Sequence, residues 1–126
     1  MTTPRFAIAI PMLNEAETVP HLLGGCVAAA EPFGAFEICV TDDGSTDGTA
    51  NLLDRTNSIR VFHLDPCGLS AARNHGAEQA TGKILAYTDD DCQPDEQWLT
   101  WLARAYSETD YAAIGGPNLA PKPDSR

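Results

Sequence analysis

Basic residues are scarce in this chain. Its 126 residues hold eight lysines and arginines against 18 aspartates and glutamates, a formal net charge of −10 with a pI near 4.4. That balance argues against nucleic acid and anionic membrane as partners, because phosphate backbones are bound through basic patches. A small phosphorylated ligand stays open, since a bound cation and a single arginine reverse the field locally. Cysteine is sparse too. Cys26, Cys39, Cys67 and Cys92 form no C-x-x-C pair. No apolar stretch approaches the roughly 18–20 residues that span a bilayer. No signal-peptide pattern precedes the first strand-like residues. The expectation is reduced thiols and a cytoplasmic location, with the inner face of a membrane reached only through partners. Internal repeats and low-complexity segments are absent. What is present is a hydrophobic content of 43%, enough for a packed core, in a length that fits one domain.

Apolar runs bounded by turn residues predict strands over residues 6–10, 36–41, 59–64, 84–88 and 111–114. Pro11 is expected to stop the first. Helical patterns fill the intervals over residues 18–30, 46–55, 70–80 and 94–106. Thr18 is an N-cap candidate for the first, with Leu22, Leu23, Cys26 and Val27 on one face. Ser45 and Thr46 are cap candidates for the second, and Asp47 suits its positive end. Gly82 stands where a left-handed cap would end the third. Trp98, Leu99, Leu102 and Tyr106 share one side of the fourth. Strands alternating with helices imply an α/β, Rossmann-like three-layer sandwich with a mostly parallel sheet and right-handed crossovers.

Two acidic clusters stand where strand-like segments end, Asp42-Asp43-Gly44-Ser45 and Asp89-Asp90-Asp91. Gathered carboxylates repel one another unless something positive neutralises them, and a hard divalent cation is the usual answer. The carboxyl edge of an open α/β sheet is also where ligands bind. In the first cluster one carboxylate could accept hydrogen bonds from a ribose hydroxyl or a base N–H. The plain alternative is a capped Asx-turn. In the second, Asp89 and Asp91 share a side if the chain is still extended there, with Asp90 on the other. That pair could hold Mg²⁺ or Mn²⁺ while phosphate oxygens and water complete the shell. Cys92 is a soft ligand beside them, but oxygen-rich surroundings favour the harder ions over zinc. Pro11-Met12-Leu13-Asn14-Glu15 is a stiffened turn whose backbone could face a flat ligand such as a base. Arg73, early in the third helix, is the natural cation for a diphosphate, or else a salt-bridge partner of the aspartates. His75 reads as a packing histidine.

Taken in order, these segments resemble the nucleotide-binding half of family 2 glycosyltransferases, which have the GT-A fold. The matching text is Ile10-Pro11-Met12-Leu13-Asn14-Glu15, then Val40-Thr41-Asp42-Asp43-Gly44-Ser45-Thr46-Asp47-Gly48-Thr49. It continues with Gly68-Leu69-Ser70-Ala71-Ala72-Arg73-Asn74-His75-Gly76, Thr88-Asp89-Asp90-Asp91, the Trp98-Leu99 helix and Gly115-Gly116-Pro117. The resemblance implies that Pro11, Asn14 and Glu15 border a base pocket, and that Asp42 or Asp43, with Ser45 beside them, binds the base and ribose. It puts Arg73, Asp89 and Asp90 at the nucleotide and matches Asp89 to Asp91 with the D-x-D motif, Asp91 first and Asp89 second as metal ligands for Mn²⁺ or Mg²⁺. The implied donor is a nucleotide-diphosphate sugar, UDP-linked in the first place and GDP-linked as the alternative. The acceptor is a hydroxyl of a glycan or lipid-linked molecule, with inversion as the usual outcome.

Family members usually run on into an acceptor-binding half that carries the catalytic base. The expectation is a nucleotide-diphospho-sugar-binding domain over residues 1–116, followed by a Pro-rich tail or truncated connection over 117–126. Asp124 in that tail is no candidate base. An exposed truncated face would invite self-association. A non-catalytic nucleotide-binding remnant is one alternative. A receiver-type phosphoacceptor domain is another, but it needs an acidic pair after the first strand, a lone aspartate after the third and a lysine after the fifth. Here the first strand ends in Pro11-Met12-Leu13-Asn14-Glu15, Asp65 leads into Pro66, and Lys122 lies well beyond the fifth. A sugar-phosphate nucleotidyltransferase would need a Gly-rich basic loop after the first strand, which is absent.

Overall fold

A computed structural model describes residues 6–92 and 94–115. Gly116, Pro117 and the tail to Arg126, with Lys122 and Asp124, lie outside the described residues. The elements are β1 (Phe6–Met12), α1 (Val19–Ala30), a 3₁₀ turn (Glu31–Phe33), β2 (Phe36–Asp42), α2 (Thr49–Asp54), β3 (Arg60–His63), α3 (Leu69–Gln79), β4 (Ile84–Tyr87) and α4 (Trp98–Glu108). The sheet has the order β3-β2-β1-β4, and every pair in it is parallel. Among the described residues no helix is long and apolar enough to cross a membrane.

β1 is buried along its whole length, as a central parallel strand must be. It runs through Pro11 rather than stopping there. Ala9 O accepts the Thr88 amide and Met12 O accepts the Asp43 amide, so the alternate residues Ala9 and Pro11 face β4 while Met12 faces β2. The β4 pairing ends at Ala9–Tyr87, so the proline lacks an N–H where no strand neighbour asks for one.

Right-handed crossovers place α1 and α2 on one face as the chain steps β1-β2-β3, and α3 on the other as it doubles back to β4. Accordingly α3 packs on β1 and β2, while α1 packs against α2 and α4. The main core lies between β1, β2 and α1. Phe6, Ile8, Ile10, Ile38 and Val40 meet Val19, Leu22, Leu23 and Cys26, and Leu53 and Leu99 close it from α2 and α4. The spacing of the α1 residues is that of one helical face.

Three further expectations fail. Residues 111–114 form no strand; Tyr111, Ala112 and Ala113 are exposed and no sheet neighbour pairs with them. Gly82 is not a left-handed cap, since α3 ends in an extended Ala80. The fourth helix starts at Trp98 rather than 94, because the Asp95 side chain accepts the Gln97 amide in a preceding turn.

Candidate functional site

The strand order reverses between β1 and β4, and a crevice opens beyond their carboxyl ends. Three loops meet there. The loop after β1 needs partners for its amides, and the two acidic loops supply them. Asn14 sits in the left-handed region at φ 53; its amide donates to Ser45 Oγ at 2.9 Å and its Oδ1 accepts the Thr46 amide at 2.8 Å. The Glu15 amide donates to Thr49 Oγ1 at 3.0 Å and the Ala16 amide to Asp47 Oδ2 at 3.3 Å. The Leu13 amide donates to Asp90 Oδ2 at 3.1 Å. Ser45, Thr46 and Asp47 are thus engaged across the loops, which is why α2 starts only at Thr49, behind a left-handed Gly48 with no side-chain cap. Gly44 permits the tight turn after Asp43: at φ 81 a Cβ would lie 2.6 Å from Pro66 Cγ.

The carboxylate pair divides its work. Asp42 is 2% exposed and Asp43 is 6% exposed. Asp42 Oδ1 accepts the Ser45 amide at 3.0 Å and Oδ2 faces His63 Nδ1 at 2.9 Å. Burial raises the Asp42 pKa, but the bonds from Ser45 and His63 outweigh it and hold the carboxyl below the usual range. Asp43 Oδ1 accepts the Cys67 amide at 2.8 Å and Oδ2 the Gly68 amide at 3.1 Å, just before α3. The Cys67 amide is the main reason that its pKa is lowered, against burial. Asp43 lines a cavity of about 240 Å³ together with Pro11, Met12, Leu13, Glu15, Leu69, Ala72 and Asp90. Asp42, Asn14 and Ser45 do not line it; they frame the loops that do.

The chain after β4 is not extended. The Cys92 amide donates to Asp89 O at 3.3 Å, closing a turn. Asp89 and Asp91 come together through this turn and not through strand alternation. Asp89, Asp91 and Cys92 each offer a ligand atom within 4.8 Å of the others. Two carboxylates and a thiol are a donor set that fits a divalent cation, the carboxylates suiting Mg²⁺ or Mn²⁺ and the thiol adding a softer donor. Asp90 turns the other way, to Leu13. Burial raises its pKa; the Leu13 amide opposes this, and Glu15, Asp91 and Asp89 add to it. Arg73 Nη2 lies 2.5 Å from Asp89 Oδ1, so the arginine meets the acidic turn directly. His75 stacks edge-on against Phe62, with centroids 5.1 Å apart, a packing histidine as expected.

Sequence reasoning missed His63, Leu69 and Ala72. For His63 the strand pattern gave no signal: the parallel register sets it opposite Asp42, whereas matching the ends of the strands expected over 36–41 and 59–64 would have set Thr41 opposite Leu64.

Residues 7–126 match the family described as Glycosyl transferase family 2. The chain belongs to that family. That membership displaces the receiver-type alternative. Glycosyltransferase AglE of Haloferax volcanii is 34% identical over 91% of this chain and 40% of that protein. A mannosyltransferase of Pyrobaculum calidifontis, solved in complex with GDP-Man and Mn²⁺, superposes with a TM-score of 0.68 at 28% identity, covering 81% of this chain and 33% of that one. S. aureus TarS 1-349 in complex with UDP superposes with a TM-score of 0.74 at 23% identity, covering 90% of this chain and 38% of that one, a likeness of fold. The fold is that of the GT-A glycosyltransferases, Rossmann-like with a parallel sheet. The chain spans between 20% and 40% of the length of the curated relatives it matches.

Proposed function

We propose that this family 2 glycosyltransferase domain binds a nucleotide-diphosphate sugar, UDP-linked or GDP-linked, and presents it for transfer to a hydroxyl of a glycan or lipid-linked acceptor with inversion. The observation that carries this reading is the convergence of Asp43, Glu15 and Asp90 on one cavity, with the Asp89–Asp91 turn following β4. In this reading Pro11 and Leu13 offer flat apolar contact to the base, and Asp43, pre-oriented by two amides, accepts a hydrogen bond from base or ribose. Asp91 and Asp89 hold the cation, with Cys92 beside them. A bound divalent cation supplies Lewis-acid stabilisation of the charge that grows on the departing diphosphate. Arg73 shifts from Asp89 toward the diphosphate, where its planar fork suits phosphate oxygens. The mannosyltransferase solved with GDP-Man and Mn²⁺ supports the choice of ligand class. We place the acceptor platform and the general base outside residues 1–116, a reading supported by the share of its relatives that the chain spans.

The experiment is a calorimetric titration of UDP and GDP with Mn²⁺ present and with chelator. The expected outcome is binding that weakens strongly with chelator. Asp91→Asn removes the metal-dependent part, while Glu78→Gln on the outer side of α3 leaves it intact. Equal affinity in both conditions, or an Asp91→Asn protein that still responds to Mn²⁺, would overturn the reading.

A further inference from the structure

His63 stands outside the cavity, on the third strand. Both of its ring nitrogens meet carboxylates: Nδ1 is 2.9 Å from Asp42 Oδ2 and Nε2 is 2.7 Å from Asp54 Oδ1. A carboxylate only accepts, and a neutral imidazole has a single N–H, so both contacts are hydrogen bonds only when the ring carries two protons. Asp42 from β2 and Asp54 from α2 supply these partners, while α3 meets β3 elsewhere, with His75 against Phe62 and Gln79 O accepting from Arg60. The other acid of β2 near this strand, Glu37, is taken by Arg60 at 3.1 Å, so no cation competes for the histidine's partners from that side. Asp42 in turn holds the turn through the Ser45 amide, Ser45 Oγ holds Asn14, and the residue after Asp42 is the cavity-lining Asp43.

We infer that His63, doubly protonated, is a positioning residue for nucleotide binding, fixing the Asp42–Ser45 turn so that the cavity is preformed, and that its deprotonation loosens the donor pocket. This rests on the donor-binding reading above. The carboxylates of Asp54 and Asp42 raise the histidine's pKa against the effect of burial. The sign follows. The ring is charged at and below its ordinary value of about 6.5, and the lock is lost as pH rises through the raised value. Loss of one charge-assisted hydrogen bond from the frame is expected to weaken donor binding by about tenfold. Asp54 is the lever that spares the pocket, because its side chain is 57% exposed and contacts the histidine from outside.

The test pairs two readouts on the full chain with Mn²⁺ present, from about pH 5.5 to about pH 8.5, a range that brackets the ordinary histidine value. One is the midpoint of the His63 ring resonances by NMR. The other is the affinity for UDP-GlcNAc and GDP-mannose, whose diphosphate diesters do not titrate in this range. The parent protein should lose affinity through the His63 midpoint. Asp54→Asn should move both midpoints down together. His63→Gln should bind more weakly, with the His63-linked step gone. A ring that titrates while affinity ignores it, or an Asp54→Asn protein whose two midpoints separate, overturns the role of His63 alone. No binding at any pH overturns the donor-binding reading and this role with it.

Discussion

The Asp43 carboxylate is held by two main-chain N–H groups, from Cys67 and Gly68, before any ligand arrives. An aspartate so held is ionised and aimed. Asparagine keeps the shape but offers one acceptor oxygen for two donors. We therefore expect Asp43→Asn to cost about 1–3 kcal/mol of stability, the range for buried bonds to a charged group. UDP affinity should fall as well, by about tenfold or more, since a charge-assisted contact becomes a neutral one. Urea unfolding and calorimetry on the same sample separate the two effects, and unchanged affinity would put Asp43 in the frame and not at the ligand. The acidic residues were legible as a site because they cluster at strand ends. Their individual roles were not. Asp47 reads as a helix-start charge, yet its second oxygen ties down Ala16. Asp90 reads as pointing away from its neighbours, and it does, but onto the amide of Leu13. Both facts depend on which loop lies opposite, which spacing along one chain does not encode.

Among the elements, β1, β2 and α1 were legible because burial follows their apolar period, and the parallel order follows from alternation. The misreadings of Pro11 and Gly82 share a cause: a proline or glycine interpreted by local preference where a neighbouring strand decides. Pro11 continues β1 because β4 has already ended. Gly82 is required for space, not for its φ. A Cβ there would run into the amide nitrogen of Ala7 and lie 2.7 Å from Phe6 C, while the Gly82 amide donates to Glu37 Oε1 at 3.0 Å. Thr81 donates to the same carboxylate, so Glu37 pins the entry to β4. Neighbouring backbone cannot step aside as a flexible side chain can. Gly82→Ala should therefore destabilise by about 1–3 kcal/mol, the cost of overpacking. Gly25→Ala is the contrast. Gly25 is exposed within α1 with nothing near its Cβ direction, and alanine there should be neutral or stabilise by up to about 1 kcal/mol. Equal urea midpoints for the two variants would refute the steric argument.

At the scale of the whole molecule, charge sets the pH response. Glu37, Asp42, Asp43 and Asp47 all have lowered pKa values, because main-chain and hydroxyl donors outweigh burial where burial opposes them. Such groups contribute stability above their unfolded values, near 4, and that stability is lost as pH falls through the folded values. His63 acts with the opposite sign. Its contribution is complete below about 6.5 and disappears as pH rises through the raised folded value. The chain's net charge of −10 adds self-repulsion on the alkaline side. Stability should therefore peak between the two windows, near about pH 5–6. Urea midpoints across the pH range measure the curve. In His63→Gln the share of the acid limb that belongs to Asp42 should shrink, because that carboxylate loses one of the bonds that lower its pKa, while the share of Glu37, Asp43 and Asp47 stays and the part of the alkaline decline that follows the imidazole disappears. Added salt should flatten what remains, since exposed charges are screened and the buried Asp42–Asp43 frame is not. A parent protein whose stability stays level from about pH 5 to about pH 8 would show that the His63 bridge adds nothing to the fold in the range where a histidine titrates.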